Sequence, residues 1–406
     1  MRCSGGWASV SNLPQRKVAL VIYQIGSGAD GGIQSVQEIA RSVPDLLSVI
    51  VTNIESPFTD RLRQIAPVQI WPMVESSYRG SASTPLYRLA QVQARLRNNL
   101  RMWRMLRAGA PAVLHANEQP AFWNSALGAK LAGAPVIFNV RDTMPANSRQ
   151  RSRWQRALKL CDRFLLLSQE MLQAWRRDLK PVSLEHPHAD KLAYIYSIVD
   201  RTLYHPALPE EREAGRVDLG IDDHRPAIAY IGRFDAKKAQ LPFIEQALPA
   251  LKRLRPDAIT YFVGDFEPEA DPYAASCLAA VHRLDLVDQV RFAGYSANTR
   301  NWYRFADLVA LASVREGLPR CMIESLASGA PFVTFDVCST REILEGFDCG
   351  KVVAQGDYEA LAGEMAGLLD DNALRALYRE RGPKVAAELF DRNRNRELYR
   401  QLVASL

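Results

Sequence analysis

Short apolar runs punctuate the whole chain, and between them the apolar residues spread out to every third or fourth position. VALVIY (18–23), LLSVIVT (46–52), VQIW (68–71), AVLHAN (112–117) and PVIFNVRD (135–142) are the runs of the first half. AIAYIG (227–232), AITYFVG (258–264), QVRFAG (289–294), DLVALAS (307–313) and PFVTF (331–335) are those of the second. Runs this short and apolar on both faces read as buried parallel strands, and the spaced stretches between them as helices that cross back over the sheet. Their alternation predicts an α/β fold with doubly wound, Rossmann-like sheets. A chain of 406 residues can hold two domains, each with its own core. The pattern restarts after a polar stretch at 206–226 that carries three prolines and many charges. The expected division is a loose tail over 1–17, a first domain over 18–200, a second over 201–384 and a terminal helical run over 385–406.

Composition adds little to this, and charge adds more. An apolar fraction of 48% and a charged fraction of 24% are ordinary for a globular protein. No apolar run reaches membrane-spanning length, and the first residues lack a signal-peptide core. Six cysteines stand at no disulfide or zinc spacing, which suits buried thiols in the cytoplasm. Residues 1–200 carry 25 Lys and Arg against 14 Asp and Glu, whereas residues 201–406 carry 26 against 31. The excess is local. Between Ser76 and Asn117 there are seven arginines and no acid, and a second acid-free run spans Arg149, Arg151, Arg153, Arg156 and Lys159. Within the first of these, PLYRLAQVQARLRNNLRMWRMLRAGA (85–110) reads as a helix or a broken pair of helices with Leu86, Leu89, Val92, Leu96, Leu100, Trp103, Met105 and Leu106 at helical spacing. Such a segment suits the anionic inner face of a membrane, or a phosphorylated or lipid-linked ligand; the competing reading is a solvated face packed on its own domain.

Candidate chemistry collects at the ends of the strands. The stretch SVREGLPRCMIESLASGAPFVTFD (313–336) reads as strand, loop, helix, strand, with Pro319 at the helix start and Gly329 at its stop. It places Glu316 in the loop and Glu324 in the helix, roughly 12 Å apart if the interval were all helical. One small group cannot meet both carboxylates at that separation, but a long polar ligand can. Gly317, Leu318 and Pro319 lie between them, where backbone N–H groups of a first helical turn suit phosphate. In the first half, QIGSGADGGIQS after the first strand is glycine-rich, and Gly26, Gly28 and Gly31 fit a dinucleotide spacing. A dehydrogenase would also want an acidic residue ending the second strand, and LSVIVTN supplies none. His115, Asn117 and Glu118, and then Asn139, Arg141 and Asp142, stand at or near two further strand ends.

The E-x7-E spacing inside EGLPRCMIESLASGAP resembles the signature of the retaining GT-B glycosyltransferases of glycosyltransferase family 4, also called glycosyl transferases group 1. The resemblance covers nearly all of the chain and is tightest in the second half. It implies a GT-B architecture, two doubly wound Rossmann-like domains facing across a cleft, with the last helix packing back towards the first domain. Gly232, Arg233, Phe234 and Lys238 match the family's G-R-L-x-x-x-K-G, with Ala239 in place of the final glycine. That match implies that Arg233 and Lys238 hold the donor diphosphate, a role their charge suits. Glu316 is implied to contact the transferred sugar and Glu324 the ribose hydroxyls. Gly264 and Tyr295 would line the nucleotide, and Gly31 and Gly32 would face its phosphates. Cys338 and Ser339 stand where the family has a glycine pair. On the acceptor side the family often has histidines; here His115 remains, and Arg141 or Asn139 takes the second place. The implied activity is that of a hexosyltransferase-type enzyme moving a sugar, with retention, from a nucleotide diphosphate sugar to a glycan or lipid-linked acceptor in bacterial cell-surface polysaccharide or lipopolysaccharide synthesis. No metal or other cofactor is expected, and nucleic acid is not an expected partner. Two alternatives stay open: a nucleotide-sugar epimerase of related architecture, and a non-catalytic binding protein. Against the latter stands the grouping of Glu316, Glu324, Arg233 and Lys238, which as uncompensated charge would serve a scaffold nothing.

Overall fold

Strands that are apolar on both faces must be covered on both faces, and the chain meets that demand twice. The computed structural model describes residues 16–25, 31–74, 85–109, 112–143, 148–179 and 189–406. They form two units: one holds the chain up to Ile198 and again Arg392–Leu406, the other Val199–Asp391.

In the first unit β1 (Lys17–Ile22), α1 (Gly31–Ser42), β2 (Leu47–Thr52), α2 (Pro57–Arg63) and β3 (Val68–Ile70) alternate. After α3 (Pro85–Ala108) the alternation resumes with β4 (Ala112–Asn117), α4 (Glu118–Leu131), β5 (Val136–Asn139), α5 (Ser148–Leu160), β6 (Arg163–Leu166), α6 (Gln169–Leu179) and β7 (Leu192–Tyr194). The seven strands are all parallel, in the order β3-β2-β1-β4-β5-β6-β7. Strand order therefore reverses between β1 and β4.

The second unit contains α7 (Pro209–Asp218), β8 (Ala227–Ile231), α8 (Gln240–Pro242), α9 (Leu248–Leu254) and β9 (Ile259–Val263), with a π-helical turn at Phe243–Ala247 joining α8 to α9. It goes on through α10 (Pro272–Arg283), β10 (Val290–Gly294), α11 (Thr299–Phe305), β11 (Leu308–Leu311), α12 (Arg320–Ala327), β12 (Phe332–Phe335), α13 (Thr340–Leu344), β13 (Gly350–Val353), α14 (Tyr358–Asp370) and α15 (Asn372–Leu389). Its parallel sheet has the order β10-β9-β8-β11-β12-β13, reversing between β8 and β11. The central strands β8, β9, β11 and β12 are buried throughout, while the edge strand β10 alternates between buried and accessible positions. Periodicity thus follows position in the sheet.

Three boundaries differ from expectation, the first being that the chain passes to the second unit after Ile198 rather than after 200. Lys17 belongs to β1 rather than to the tail, its Nζ donating to the Asp45 carbonyl at 2.7 Å. The run expected as one terminal helix over 385–406 is the end of α15 followed by a separate α16 (Arg392–Ala404), so the second unit extends to Asp391 rather than 384. The break is a change of core. Tyr399, Leu402 and Val403 of α16 join Leu20, Val36 and Ile39 of the first unit's core, and Arg392 and Arg400 pair with Glu38 and Asp45 at 2.8 and 2.6 Å.

Candidate functional site

In an open α/β sheet the helices diverge where strand order reverses, leaving a crevice beyond the carboxyl ends of the strands. In the second unit that crevice lies past β8 and β11. Gly232 and Arg233 follow β8, and Ser313 to Glu316 follow β11. The four residues with the sharpest expected roles therefore stand at this end of the sheet, on the loops after β8 and β11 and on the helix α12.

The loop after β8 is shaped by local chemistry. Asp235 accepts the Lys238 backbone N–H at 2.8 Å, a turn that asparagine and aspartate side chains favour. Ala239 then takes a left-handed conformation (φ 57°) before α8, the place where the resembled motif has glycine. The Lys238 carbonyl accepts from the Tyr230 hydroxyl, which itself accepts the Ala312 N–H at 3.0 Å, so β8 and β11 share one phenol between their loops. The loops are tied again where Val314 N–H donates to the Lys237 carbonyl at 2.9 Å. Gly264, ending β9, donates to the Gly294 carbonyl at 3.0 Å, and a Cβ there would stand 2.1 Å from the Gly232 carbonyl oxygen. Only glycine fits. Tyr295 follows Gly294 at the same edge and is exposed.

Lys238 Nζ donates to Glu316 Oε1 at 2.7 Å, with both side chains largely buried. Burial works against the charge on Glu316, but Lys238 and then Lys237 outweigh it and hold the carboxyl below its ordinary range. Burial likewise opposes the charge on Lys238, and Glu316 prevails, raising its pKa. Glu324 behaves differently. Arg320 Nε donates to its Oε1 at 2.7 Å and the Tyr303 hydroxyl to its Oε2 at 2.9 Å, and Tyr204 adds a further bond. Burial still wins, and its pKa lies above the ordinary value. Arg233 is half exposed at the rim, 3.6 Å from Asp235. Gly317, Leu318 and Pro319 are buried between the two glutamates, and the Gly317 carbonyl accepts from Ser339 Oγ at 2.5 Å. Ser339 itself is left-handed (φ 74°), again where the resembled motif has glycine. Phe266, two residues past Gly264, stacks on Phe292 with ring centroids 3.9 Å apart.

This geometry corrects one premise. The charges are not uncompensated, because Lys238 neutralises Glu316 and Arg320 neutralises Glu324. Clustering alone therefore does not argue against a scaffold.

The first-unit candidates are dispersed in character. His115 lies in the middle of the sheet pairing, fully buried, its Nδ1 2.7 Å from the Tyr399 hydroxyl of α16. Burial, and then the charge of Arg141, push its pKa down to about 3. It is an interior group and stays neutral. Asn139 is also fully buried and donates to Asn117 Oδ1 at 3.1 Å, while its own Oδ1 has no hydrogen-bond partner. Arg141 is half-buried in the loop after β5. Gly31 and Gly32 open α1; Gly26 and Gly28 lie outside the described residues. Glu118, at the reversal point after β4, takes a left-handed φ of 68°.

Sequence reasoning missed Tyr303, Tyr204, Tyr230 and Arg320. Arg320 was legible, since it stands four residues before Glu324 on the same helical face. The tyrosines reach the site from β8, α11 and the stretch before α7, and no local spacing announces them.

With this geometry in hand, comparison with known proteins is informative. Residues 225–371 match the family model described as glycosyl transferases group 1, and residues 72–203 match that of glycosyltransferase family 4. The lipopolysaccharide core biosynthesis glycosyltransferase LpsE of Rhizobium meliloti (strain 1021) is 28% identical over 190 residues, 47% of this chain and 53% of that protein. The chain spans about half the length of the first such curated relatives it matches. A UDP-Gal:alpha-D-GlcNAc-diphosphoundecaprenol alpha-1,3-galactosyltransferase of Escherichia coli is 20% identical over 287 residues, 70% of this chain and 72% of that one. Among solved structures, Anabaena HepE in complex with UDP and glucose superposes with a TM-score of 0.79 at 20% identity, covering 96% of this chain and all of that one, a GT-B fold likeness.

Proposed function

Because the chain belongs to the glycosyltransferase family 4 (glycosyl transferases group 1) enzymes of GT-B fold, we propose that it moves a sugar from a nucleotide diphosphate sugar to a hydroxyl of a glycan or lipid-linked acceptor, with retention at the anomeric carbon. The observation that carries this reading is the buried Lys238–Glu316 pair joining the loops after β8 and β11 at the sheet reversal, inside the segment that matches the family model.

Glu324 accepts the two ribose hydroxyls on a carboxylate oriented by Arg320 and Tyr303, one of them taking the place of the Tyr204 hydroxyl. Arg233 and Lys238 take up the diphosphate charge that grows as the bond from the anomeric carbon to the phosphate oxygen breaks. Glu316, released in part from Lys238 by the incoming phosphate, accepts hydroxyls of the sugar. The acceptor oxygen bonds to the anomeric carbon on the face the phosphate leaves, and its proton passes to the departing phosphate oxygen. This assigns charge neutralisation to side chains, so turnover should survive chelation of divalent metal.

Bacterial cell-surface polysaccharide or lipopolysaccharide synthesis is the setting that LpsE and the diphosphoundecaprenol-linked galactosyltransferase suggest. Among the described residues no helix is long and apolar enough to cross a membrane. A lipid-linked acceptor then requires the protein to meet the cytoplasmic membrane surface from outside the bilayer. The test is a thermal-shift panel of UDP, GDP and ADP with their sugars, UDP first because HepE is seen with it. One nucleotide should raise the unfolding temperature, since a ligand that binds only the native state stabilises it. A panel with no shift would remove the donor reading.

A further inference from the structure

The helix α3 is built inside out. At its packed side Asn98 Nδ2 donates to Asn124 Oδ1 and to the Pro72 carbonyl, each at 2.9 Å. Asn99 Oδ1 accepts the Gly128 N–H at 2.9 Å, and its Nδ2 donates to the Trp123 carbonyl at 3.1 Å. A Cβ on Gly128 would lie 2.0 Å from the Asn99 carbonyl oxygen, so α3 and α4 are in backbone contact there. These polar side chains, with Met102 and Leu106 at the C-terminal end, hold the helix in place, and its other leucines are left outside. Leu86, Leu89, Val92, Leu96 and Leu100 are 44–78% exposed. At about 100° per residue they fall on one stripe roughly 120° wide. Exposed Leu127 and Leu131 of α4 continue the apolar surface. Between the two helices a groove of about 210 Å³ is lined by Val92, Leu96, Phe122, Trp123 and Leu127, with Leu160 of α5 at its margin.

Charge frames this surface with one sign. Arg97, Arg101 and Arg104 follow the stripe along α3 by helical phase, and α5 brings exposed Arg151, Arg156 and Lys159. Arg153 lies over the Trp123 ring at 5.5 Å. No acidic residue occurs in α3 or α5. An apolar band of this length is uncommon on a free monomer surface. A frame of this net sign, with Asp162 beyond α5 neutralised by Lys130 of α4 at 3.0 Å, disfavours protein partners whose rims mix both signs and fits an anionic bilayer.

We infer that the α3–α4 face is the surface by which this protein docks on an anionic phospholipid leaflet, the leucine stripe entering the acyl region, the arginines meeting headgroup phosphates, and the groove at Trp123 receiving one hydrocarbon chain. This gives a place to the membrane contact that the proposed lipid-linked acceptor requires, and it rests on that reading only for the choice of biological setting.

The experiment uses the full chain with phosphatidylglycerol vesicles, phosphatidylcholine vesicles as control, and brominated-acyl phosphatidylglycerol as a fluorescence quencher. Phosphatidylglycerol vesicles should sediment the protein and phosphatidylcholine should not. Each arginine replaced, as in Arg97→Gln or Arg104→Gln, should weaken binding about fivefold. Leu89→Glu and Leu96→Glu together should weaken it by about a hundredfold while leaving the nucleotide thermal shift unchanged, because both side chains are already outside the core. In a Trp103→Phe background, which silences the tryptophan on the stripe itself, brominated lipid should still quench emission, and adding Trp123→Phe should remove most of that quenching without removing binding. Binding that survives the leucine changes, quenching unaffected by Trp123→Phe, or a stable dimer that Leu96→Glu dissociates in place of vesicle binding would each overturn the inference. Vesicle binding without any nucleotide shift would instead leave this face standing and remove the donor reading.

Discussion

Arg233 and Lys238 were expected to share one role, but their surroundings separate them. Arg233 is half exposed and contributes little to the fold, so Arg233→Ala should lower turnover about a hundredfold with an unchanged unfolding temperature. Lys238 is the buried partner of Glu316; its removal strands a carboxylate and should destabilise the second unit by about 3–5 kcal/mol. Lys238→Ala together with Glu316→Gln should recover much of that stability and no activity, which calorimetry and a turnover assay separate. Glu324 gives a pH signature. Its raised pKa means that the ionised form needed by ribose is lost at higher pH than for an ordinary glutamate. Donor affinity should therefore begin to fall at a higher pH than an ordinary glutamate would impose as the solution is acidified, and Glu324→Gln should bind weakly without that fall. Ser339 is a subtler case, since its left-handed backbone is strained and its hydroxyl holds the Gly317 carbonyl. Ser339→Gly relieves about 1 kcal/mol of strain yet frees the loop, so it should raise stability while lowering turnover. Ser339→Ala should lower both.

Among the elements, those whose role is fixed by their own sequence were readable and those fixed by neighbours were not. The strands were legible because burial on both faces leaves a continuous apolar run, and the loops after β8 and β11 because Gly232 and the E-x7-E segment mark strand ends. The helix α12 was bracketed by Pro319 and Gly329, the latter left-handed at φ 72°. In α3 the periodicity was visible, but periodicity does not say which stripe is covered; the asparagines decided it, by finding partners on α4. Gly128→Ala tests that lock. It should push α3 off α4 and cost about 1–3 kcal/mol in thermal unfolding, against the few tenths a surface substitution brings. His115 misled in the same way: the strand end was read correctly, but Tyr399, 284 residues away in sequence, turns the imidazole into an interior group.

Across the molecule, two sheets repeat one plan and their reversal points differ in chemistry. The second carries a dense set of ionisable groups, each paired, at its crevice; the first carries amides, one neutral histidine and the strained Glu118. That asymmetry supports a donor held by the second unit and an acceptor met by the first. It also places α16 energetically. Ending the chain at Asp391 would strip Tyr399, Leu402 and Val403 from the first unit's core, so that unit should melt earlier while nucleotide binding by the second persists.

The central claim is that one nucleoside diphosphate spans Arg233, Lys238 and Glu324, and calorimetric titration of UDP, GDP and ADP into the wild type, Arg233→Ala and Glu324→Ala tests it most directly. One nucleotide should bind the wild type with a stoichiometry of about one, and both variants should lose at least about tenfold in affinity, as loss of a charged hydrogen bond does. Equal affinity in all three proteins, or no heat with any nucleotide, would contradict it.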